Sequence, residues 1–125
     1  GPKLIAFLKE KKLKENWTHV QPQIIQHDDP LLSSQSVDCI LIVNTWHHLP
    51  QDSRYLLKLK KSLKPQGQIT IVDFKKSSVK GPPTRHKIAQ DQVVKTLQHL
   101  GLKVKIHNIH LSDQYMVSGF LSSSN

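Results

Sequence analysis

The stretch VDCILIVNTWHHLP, residues 37–50, decides the fold of this chain. Its first half is a run of apolar residues containing one aspartate, and its second half is polar and includes two adjacent histidines. The apolar run is continuous rather than alternating, which is typical of a parallel-sheet strand covered on both faces. We therefore expect a central strand over 38–43. Its polar exit at 44–48 then lies at the carboxyl end of a sheet, where open α/β proteins bind ligands.

The segments around this strand predict a single α/β domain over residues 1–125. Hydrophobic spacing and turn residues define the elements. In chain order they are a helix over 3–15, a strand over 19–26, a turn at 27–30, the strand over 38–43, a helix opened by Pro50 and Asp52 that runs to Leu63, a turn at 64–67, a strand over 68–74, a helix over 88–100 closed by Gly101, and strands over 102–109 and 114–121. This order predicts a mostly parallel sheet that ends in an antiparallel hairpin.

Composition excludes several classes of function. Lys and Arg number 18 against 9 acidic residues, but no aromatic residues interleave with the lysines, which argues against a platform for single-stranded nucleic acid. No apolar run reaches the roughly 18 residues of a membrane span, and no signal peptide is visible. The single cysteine, Cys39, excludes an internal disulfide and is expected to be buried, which fits a cytoplasmic protein. The eight histidines show no zinc-type spacing, so no metal site is predicted.

Residues 37–74 resemble the second half of class I S-adenosylmethionine-dependent methyltransferases. The matching features are Asp38 early in an apolar strand, the polar exit at 44–48, the Leu-Lys-Pro-x-Gly turn at 63–67 and the Ile-Val-Asp-Phe strand at 71–74. The last helix and hairpin are similar to those of the small-molecule branch of this family. The resemblance implies a partial Rossmann-like methyltransferase fold that uses S-adenosylmethionine as its cofactor.

The resemblance also implies a cofactor pocket. Asn44 and Trp46 would line it, and Asp28 and Asp29 would lie near the adenine amino group, where a carboxylate can accept a hydrogen bond. Alternatively, the two aspartates serve only a turn or a helix cap.

Three further residues are implied at the reactive end of the cofactor. His47 would act as a catalytic base, because a positioned histidine can accept a proton near neutral pH. His48 and Asp73 would face the substrate side. The alternative interpretation makes both histidines structural anchors of their loop.

The glycine-rich turn that defines the family is missing, since no two glycines occur in Gly-x-Gly spacing. The family's sheet order is 3-2-1-4-5-7-6, so a chain without strands 1 and 2 leaves the strand over 38–43 with an open apolar edge. Such an edge invites pairing. We expect compensation by direct pairing of 19–26 with 38–43, by a swapped homodimer, or by a separate chain that carries the missing N-terminal half.

Two functions follow. The first is methyl transfer to an unidentified small molecule by the intact protein, with this chain alone inactive and binding little or no cofactor. The alternative is a non-enzymatic basic binding or assembly module derived from a methyltransferase half.

Overall fold

The computed structural model describes residues 1–122. The chain divides into two compact units, Gly1–Leu31 and Leu32–Asn125. The first unit contains helix α1, Pro2–Lys14. Its proline stands in the first turn, where the missing N–H costs nothing. Three lysines in its last turn complement the negative end of the helix dipole. The helix predicted over 3–15 is confirmed, although none of its residues is buried.

The prediction of a strand over 19–26 is wrong. This segment contributes only an isolated bridge between Gln26 and Asp29, which closes a turn at 27–28. A strand must pair its backbone groups with a neighbouring strand, and Pro22 removes one of the donors. The four-stranded sheet of the protein contains no residue of this segment, so the expected pairing of 19–26 with 38–43 is not formed.

The second unit is a mixed α/β structure. Its strands are β1 (Val37–Val43), β2 (Leu63–Phe74), β3 (Lys103–Ile106) and β4 (Gln114–Phe120), in the sheet order β1-β2-β4-β3. Its helices are α2 (Ser53–Ser62) and α3 (Gln90–His99), with short 3₁₀ helices at Trp46–His48 and Thr84–His86. β1 runs parallel to β2, while β4 is antiparallel to β2 and β3. The predicted α/β class and the antiparallel terminal hairpin are confirmed.

Helices α2 and α3 pack on one face of this sheet. The apolar side chains of the two helices pack against the inward residues of β1, β2 and β4. The resulting core includes Ile42, Leu59, Ile71, Leu97 and Val117. Local signals place the helix ends. The Asp52 side chain accepts a hydrogen bond from the Tyr55 N–H at 2.9 Å, a typical N-cap. Gly101 follows α3 with φ +82°, a conformation that glycine adopts without strain.

β1 lies at the edge of the sheet, so the expected open edge is confirmed. The expectation that both of its faces are covered is wrong, because Leu41 is 63% exposed and Val43 is 45% exposed. Cys39 is exposed too, which corrects the prediction of a buried thiol. These alternate residues point away from the face that carries Ile42 and the two helices.

The turn predicted at 64–67 lies inside β2 as a bulge. The register pairs Val37 with Leu63 and then Cys39 with Gln68, so β2 advances five residues while β1 advances two. Gln66 adopts φ +67° within this bulge. After it, β1 and β2 stay in regular register, and their carboxyl ends arrive together at the same edge of the sheet.

Candidate functional site

Asn44 joins the carboxyl ends of β1 and β2 to the amino end of β4. It follows β1 directly and adopts φ +60°, a left-handed conformation that asparagine tolerates better than most residues. Its backbone N–H donates to the carbonyl of Val72 on β2 at 2.7 Å. Its Oδ1 accepts from the Nε2 of Gln114 on β4 at 2.6 Å. The polar exit predicted after β1 is therefore held in place at the strand ends.

His47 and Asp73 form a buried pair beside Asn44. The His47 Nδ1 lies 2.9 Å from Oδ2 and 3.1 Å from Oδ1 of Asp73. The His47 backbone N–H also donates to Oδ2 at 3.2 Å, and the Phe74 N–H donates to Oδ1 at 2.8 Å. The two side chains are only 3% and 2% exposed. A carboxylate this deeply buried is stable because donors surround it.

This contact determines the chemistry that His47 can offer. An ionised carboxylate only accepts hydrogen bonds, so Nδ1 is the nitrogen that carries the proton. In the neutral imidazole, Nε2 is then left as an acceptor. An oriented His–carboxylate pair of this kind can serve either as a general base or as a fixed clamp on a loop.

The two residues next to His47 differ in environment. The Trp46 side chain is fully buried in the core, and its indole N–H has no hydrogen-bond partner within residues 1–122. His48 is exposed, and its ring centroid lies 4.1 Å from that of His47. The sequence therefore located the loop correctly, but Trp46 turns into the core while His48 turns outward.

Tyr115 completes the site from β4, and sequence reasoning missed it together with Gln114. Tyr115 is the register partner of Asp73, and its hydroxyl donates to the Ile88 carbonyl at 2.7 Å. Burial raises the pKa of the Tyr115 phenol well above its usual value, and the negative charge of Asp73 raises it further. The usable signal was the antiparallel hairpin, which places the start of β4 beside the end of β2.

Asp28 and Asp29 belong to the first unit. Asp28 is exposed, and Oδ1 of Asp29 accepts a hydrogen bond from the Leu31 N–H at 2.8 Å. That contact is typical of a turn-forming aspartate, and their role at an adenine amino group stays a prediction.

Two absences hold for residues 1–122. No group of three or more His, Cys, Asp or Glu side chains there could hold a metal ion. None of the helices is long and apolar enough to cross a membrane.

Comparison with known proteins identifies the family. The sequence profile described as "Methyltransferase domain" matches residues 2–71, which is more than half of the chain. The chain belongs to this methyltransferase family. No curated protein sequence matches it.

Solved methyltransferase structures share the fold. A SAM-dependent methyltransferase from Aquifex aeolicus superposes with a TM-score of 0.85 at 24% identity, covering 97% of this chain and 65% of its own. A putative type 11 methyltransferase from Sulfolobus solfataricus has a TM-score of 0.60 at 20% identity, covering 92% of this chain and 64% of its own. A Burkholderia thailandensis 1,6-didemethyltoxoflavin-N1-methyltransferase, solved with S-adenosylhomocysteine, has a TM-score of 0.67 at 16% identity, with coverages of 90% and 56%.

This methyltransferase-family chain therefore spans just under two thirds of the length of the Aquifex protein. Its sheet order, β1-β2-β4-β3, corresponds to strands 4-5-7-6 of the family order. Within residues 1–122, no strand pairs with the outer edge of β1.

The residues present fit one side of a nucleoside cofactor. The groups at the end of β1 are uncharged: the Asn44 amide and the indole N–H of Trp46, a buried donor with no partner among the described residues. Such groups suit the nitrogen and hydroxyl acceptors of adenosine. The Asp73 carboxylate is already occupied by His47 and the Phe74 N–H, so it is not free to hold ribose hydroxyls.

Proposed function

We propose that this chain is the C-terminal part of an enzyme that methylates a small molecule and uses S-adenosylmethionine. The observation that carries the proposal is the position of Asn44, His47 and Asp73. These residues cluster at the carboxyl ends of β1 and β2, in a chain of the methyltransferase family. That edge of an open α/β sheet is where ligands bind.

Asn44 would contact the cofactor from one side through its amide, and Trp46, fully buried in the core, would support the loop beneath it. The cofactor supplies an activated methyl group when it is bound. The protein's main contribution is then to hold the acceptor in line with that group, which is an effect of orientation. No nucleophilic side chain is required.

His47 would accept the proton that the methyl acceptor loses. Its Nε2 is the free acceptor because Asp73 holds Nδ1, so Asp73 acts as a positioning residue. His48, which is exposed and has its ring tilted by 47° to that of His47, would lie on the substrate side.

A pair of variants separates a base from a loop anchor. His47→Asn keeps a side-chain N–H for Asp73 but removes Nε2, whereas His47→Ala removes both groups. If His47 is the base, the two variants lose methyl transfer to a similar extent. If His47 only anchors the loop, His47→Asn retains activity and the base assignment is wrong. The pH profile of the remaining activity provides a second readout.

Calorimetric titration with S-adenosylmethionine tests the proposed function. It should be applied to this chain alone and to the chain extended by the residues encoded upstream of Gly1. We expect binding only by the extended chain, because a glycine-rich turn lets the backbone approach the cofactor and residues 1–125 contain none. Failure of both to bind would overturn the proposal. Micromolar binding by this chain alone would show that the glycine turn is dispensable.

We also infer that the outer edge of β1, which pairs with no described strand, pairs with a strand of the proposed N-terminal part of the enzyme. Leu41 and Val43 are exposed on this edge strand, and no strand of the described residues pairs with its outer side. An unpaired apolar edge is a template for strand addition. The match covers only 65% of the Aquifex chain, so the remainder of that chain is long enough to contain such a strand.

Hydrogen exchange and sedimentation test the identity of this partner. We expect the β1 amides to exchange slowly in the extended chain and fast in this chain alone. Fast exchange in both would overturn the inference. A dimer of this chain that is lost in Leu41→Lys would instead show that a second copy occupies the edge. Val79→Lys is the matched control, since Val79 is 98% exposed and lies in a loop.

The same free edge favours a second candidate function, a non-enzymatic assembly module derived from a methyltransferase half. It predicts that the extended chain forms a stable complex but binds no S-adenosylmethionine. A strongly salt-dependent affinity for RNA or DNA would point to the basic surface instead, because phosphate contacts release counterions.

A further inference from the structure

A cavity of about 340 Å³ lies where β2 ends. It is lined by Lys75, Lys76, Ser77, Ala89, Gln90 and Tyr115. Lys75 is the first residue after β2, and Tyr115 is the register partner of Asp73. The cavity therefore opens at the same edge of the sheet as the proposed reaction centre, and its volume is at the small end of the range for ligand pockets.

The charged groups of this cavity are both positive. Its six lining residues include two lysines and no carboxylate. The Lys75 ammonium donates to the Leu111 carbonyl at 2.8 Å, a neutral acceptor that fixes the side chain without cancelling its charge. Lys76 is exposed and takes part in no ion pair or hydrogen bond within the described part of the chain. Both charges are thus available to a ligand.

Two of the nearby carboxylates, Asp73 and Asp113, accept hydrogen bonds, and a third, Asp91, lies in the first turn of α3. Asp73 accepts hydrogen bonds from His47 and the Phe74 N–H. The backbone carbonyl of Asp113 accepts the Lys75 N–H, while its carboxylate accepts from the Ser78 hydroxyl at 2.8 Å and lies 3.5 Å from the Lys80 ammonium. Neither the Lys75 nor the Lys76 ammonium forms an ion pair with a carboxylate among residues 1–122.

Uncharged donors complete the walls. The Ser77 hydroxyl and the Gln90 amide line the cavity. Gln90 is also the first residue of α3, a ten-residue helix whose N-cap, Ala89, has no side-chain hydrogen bond to its first turn. The positive end of that helix adds to the field of the lysines, but the cavity and its two ammonium groups are the basis of the site.

We propose that this cavity binds an oxyanion, either a carboxylate or a phosphate group, carried by the small molecule that the enzyme methylates. The role of the ligand as methyl acceptor rests on the proposed function. Binding of the oxyanion does not. Lysine acts as a point charge for such groups, and a charge-assisted hydrogen bond is about twice as strong as a neutral one.

Amide chemical shifts of the ¹⁵N-labelled chain test the site. Inorganic phosphate and sodium acetate are titrated separately, with total ionic strength held constant by sodium chloride. We expect saturable shifts confined to residues 75–77 and 89–92. Saturation by phosphate alone assigns a phosphate ligand, and saturation by acetate alone assigns a carboxylate. Saturation by both supports a general oxyanion site, and saturation by neither overturns the proposal.

Matched variants separate the site from general charge. Lys76→Gln should weaken the binding about tenfold, the loss of one charge-assisted hydrogen bond. Lys103→Gln, on exposed β3, removes the same charge elsewhere and should leave the affinity unchanged. Equal weakening by the two variants would overturn the proposal.

The oxyanion titration is independent of the test of the proposed function. It contains no S-adenosylmethionine, so oxyanion binding can be observed even where calorimetry finds no cofactor binding. That result would support the oxyanion site and contradict the proposed methyltransferase activity. Cofactor binding without any oxyanion binding would support the proposed activity and contradict the oxyanion site.

Discussion

β1 and the second half of β2 are neighbouring strands of similar composition, yet β2 is buried on both faces and β1 on only one. The sequences VDCILIV and QITIVDF are both rich in β-branched and apolar residues. On the face away from the helices, Thr70 and Val72 of β2 are each 7% exposed, whereas Leu41 of β1, the register partner of Thr70, is 63% exposed. β2 lies between two strands and β1 has one neighbour. Burial is thus set by the number of neighbours, and β1 carries a sequence suited to a position with two.

The largest expected difference between the strands is in core stability. Ile71→Ala should lower the free energy of unfolding by about 2–5 kcal/mol, because it leaves a cavity in the core. Leu41→Ala, on the exposed face of β1, should change it by no more than about 0.5 kcal/mol. Urea unfolding followed by circular dichroism measures both. Equal losses would mean that β1 is as well packed in solution as β2.

Two aspartates sharpen the comparison. Asp73→Asn at the buried end of β2 places an NH₂ group among the N–H donors of His47 and Phe74. It should cost about 1–3 kcal/mol. Asp38 on β1 is 85% exposed, and its carboxylate lies 3.6 Å from the Lys64 ammonium, so Asp38→Asn should cost no more than about 1 kcal/mol. Urea unfolding measures both losses of stability. A larger loss of unfolding free energy in Asp38→Asn than in Asp73→Asn would contradict the expected order.

Tyr115 extends the comparison to β4, the other neighbour of β2. The pKa of its phenol is raised in the folded protein, mainly by burial and further by Asp73. Above pH 10 the unfolded chain therefore loses this proton while the folded chain keeps it, and stability falls as pH rises. Tyr115→Phe should show a shallower fall between pH 9 and pH 11. Because the lysines titrate in both proteins, identical slopes would contradict the raised pKa.

The smallest effect is expected at Cys39, which should be freely reactive without any change in stability. It is the single cysteine of the chain and is exposed on β1. A thiol-specific chromogenic reagent should therefore label the native protein as fast as the urea-unfolded one. The matched chain, Cys39→Ser with Ile69→Cys, should react only on unfolding. Slow labelling of native Cys39 would show that the outer face of β1 is covered.

Local signals in the sequence were sufficient for the helices. Asp52 as N-cap and Gly101 after α3 act within a few residues of themselves, so the ends of α2 and α3 could be predicted closely. The strand over 19–26 and the burial of Cys39 could not. Both depend on whether a neighbouring strand or helix is present, and composition does not report that.

The candidate site also combines features that the sequence predicts with contacts that it does not predict. The rule that ligands bind at strand ends pointed to Asn44, the family resemblance added His47 and Asp73, and the function of all three stays a prediction. The contacts that define their chemistry join distant residues, with 26 positions between His47 and Asp73 and 70 between Asn44 and Gln114. Such contacts depend on the register of several strands, which the hydrophobic pattern does not determine.

The bulge at 64–67 has a practical consequence. It absorbs surplus length between the single Val37–Leu63 pair and the regular pairing that resumes at Cys39–Gln68. Lys64, Pro65 and Gln66 are all exposed. A short peptide tag or a fluorophore-bearing insertion is expected to be tolerated at Gln66 without shifting the strands, which would make the bulge a reporter position at the sheet end opposite the candidate site.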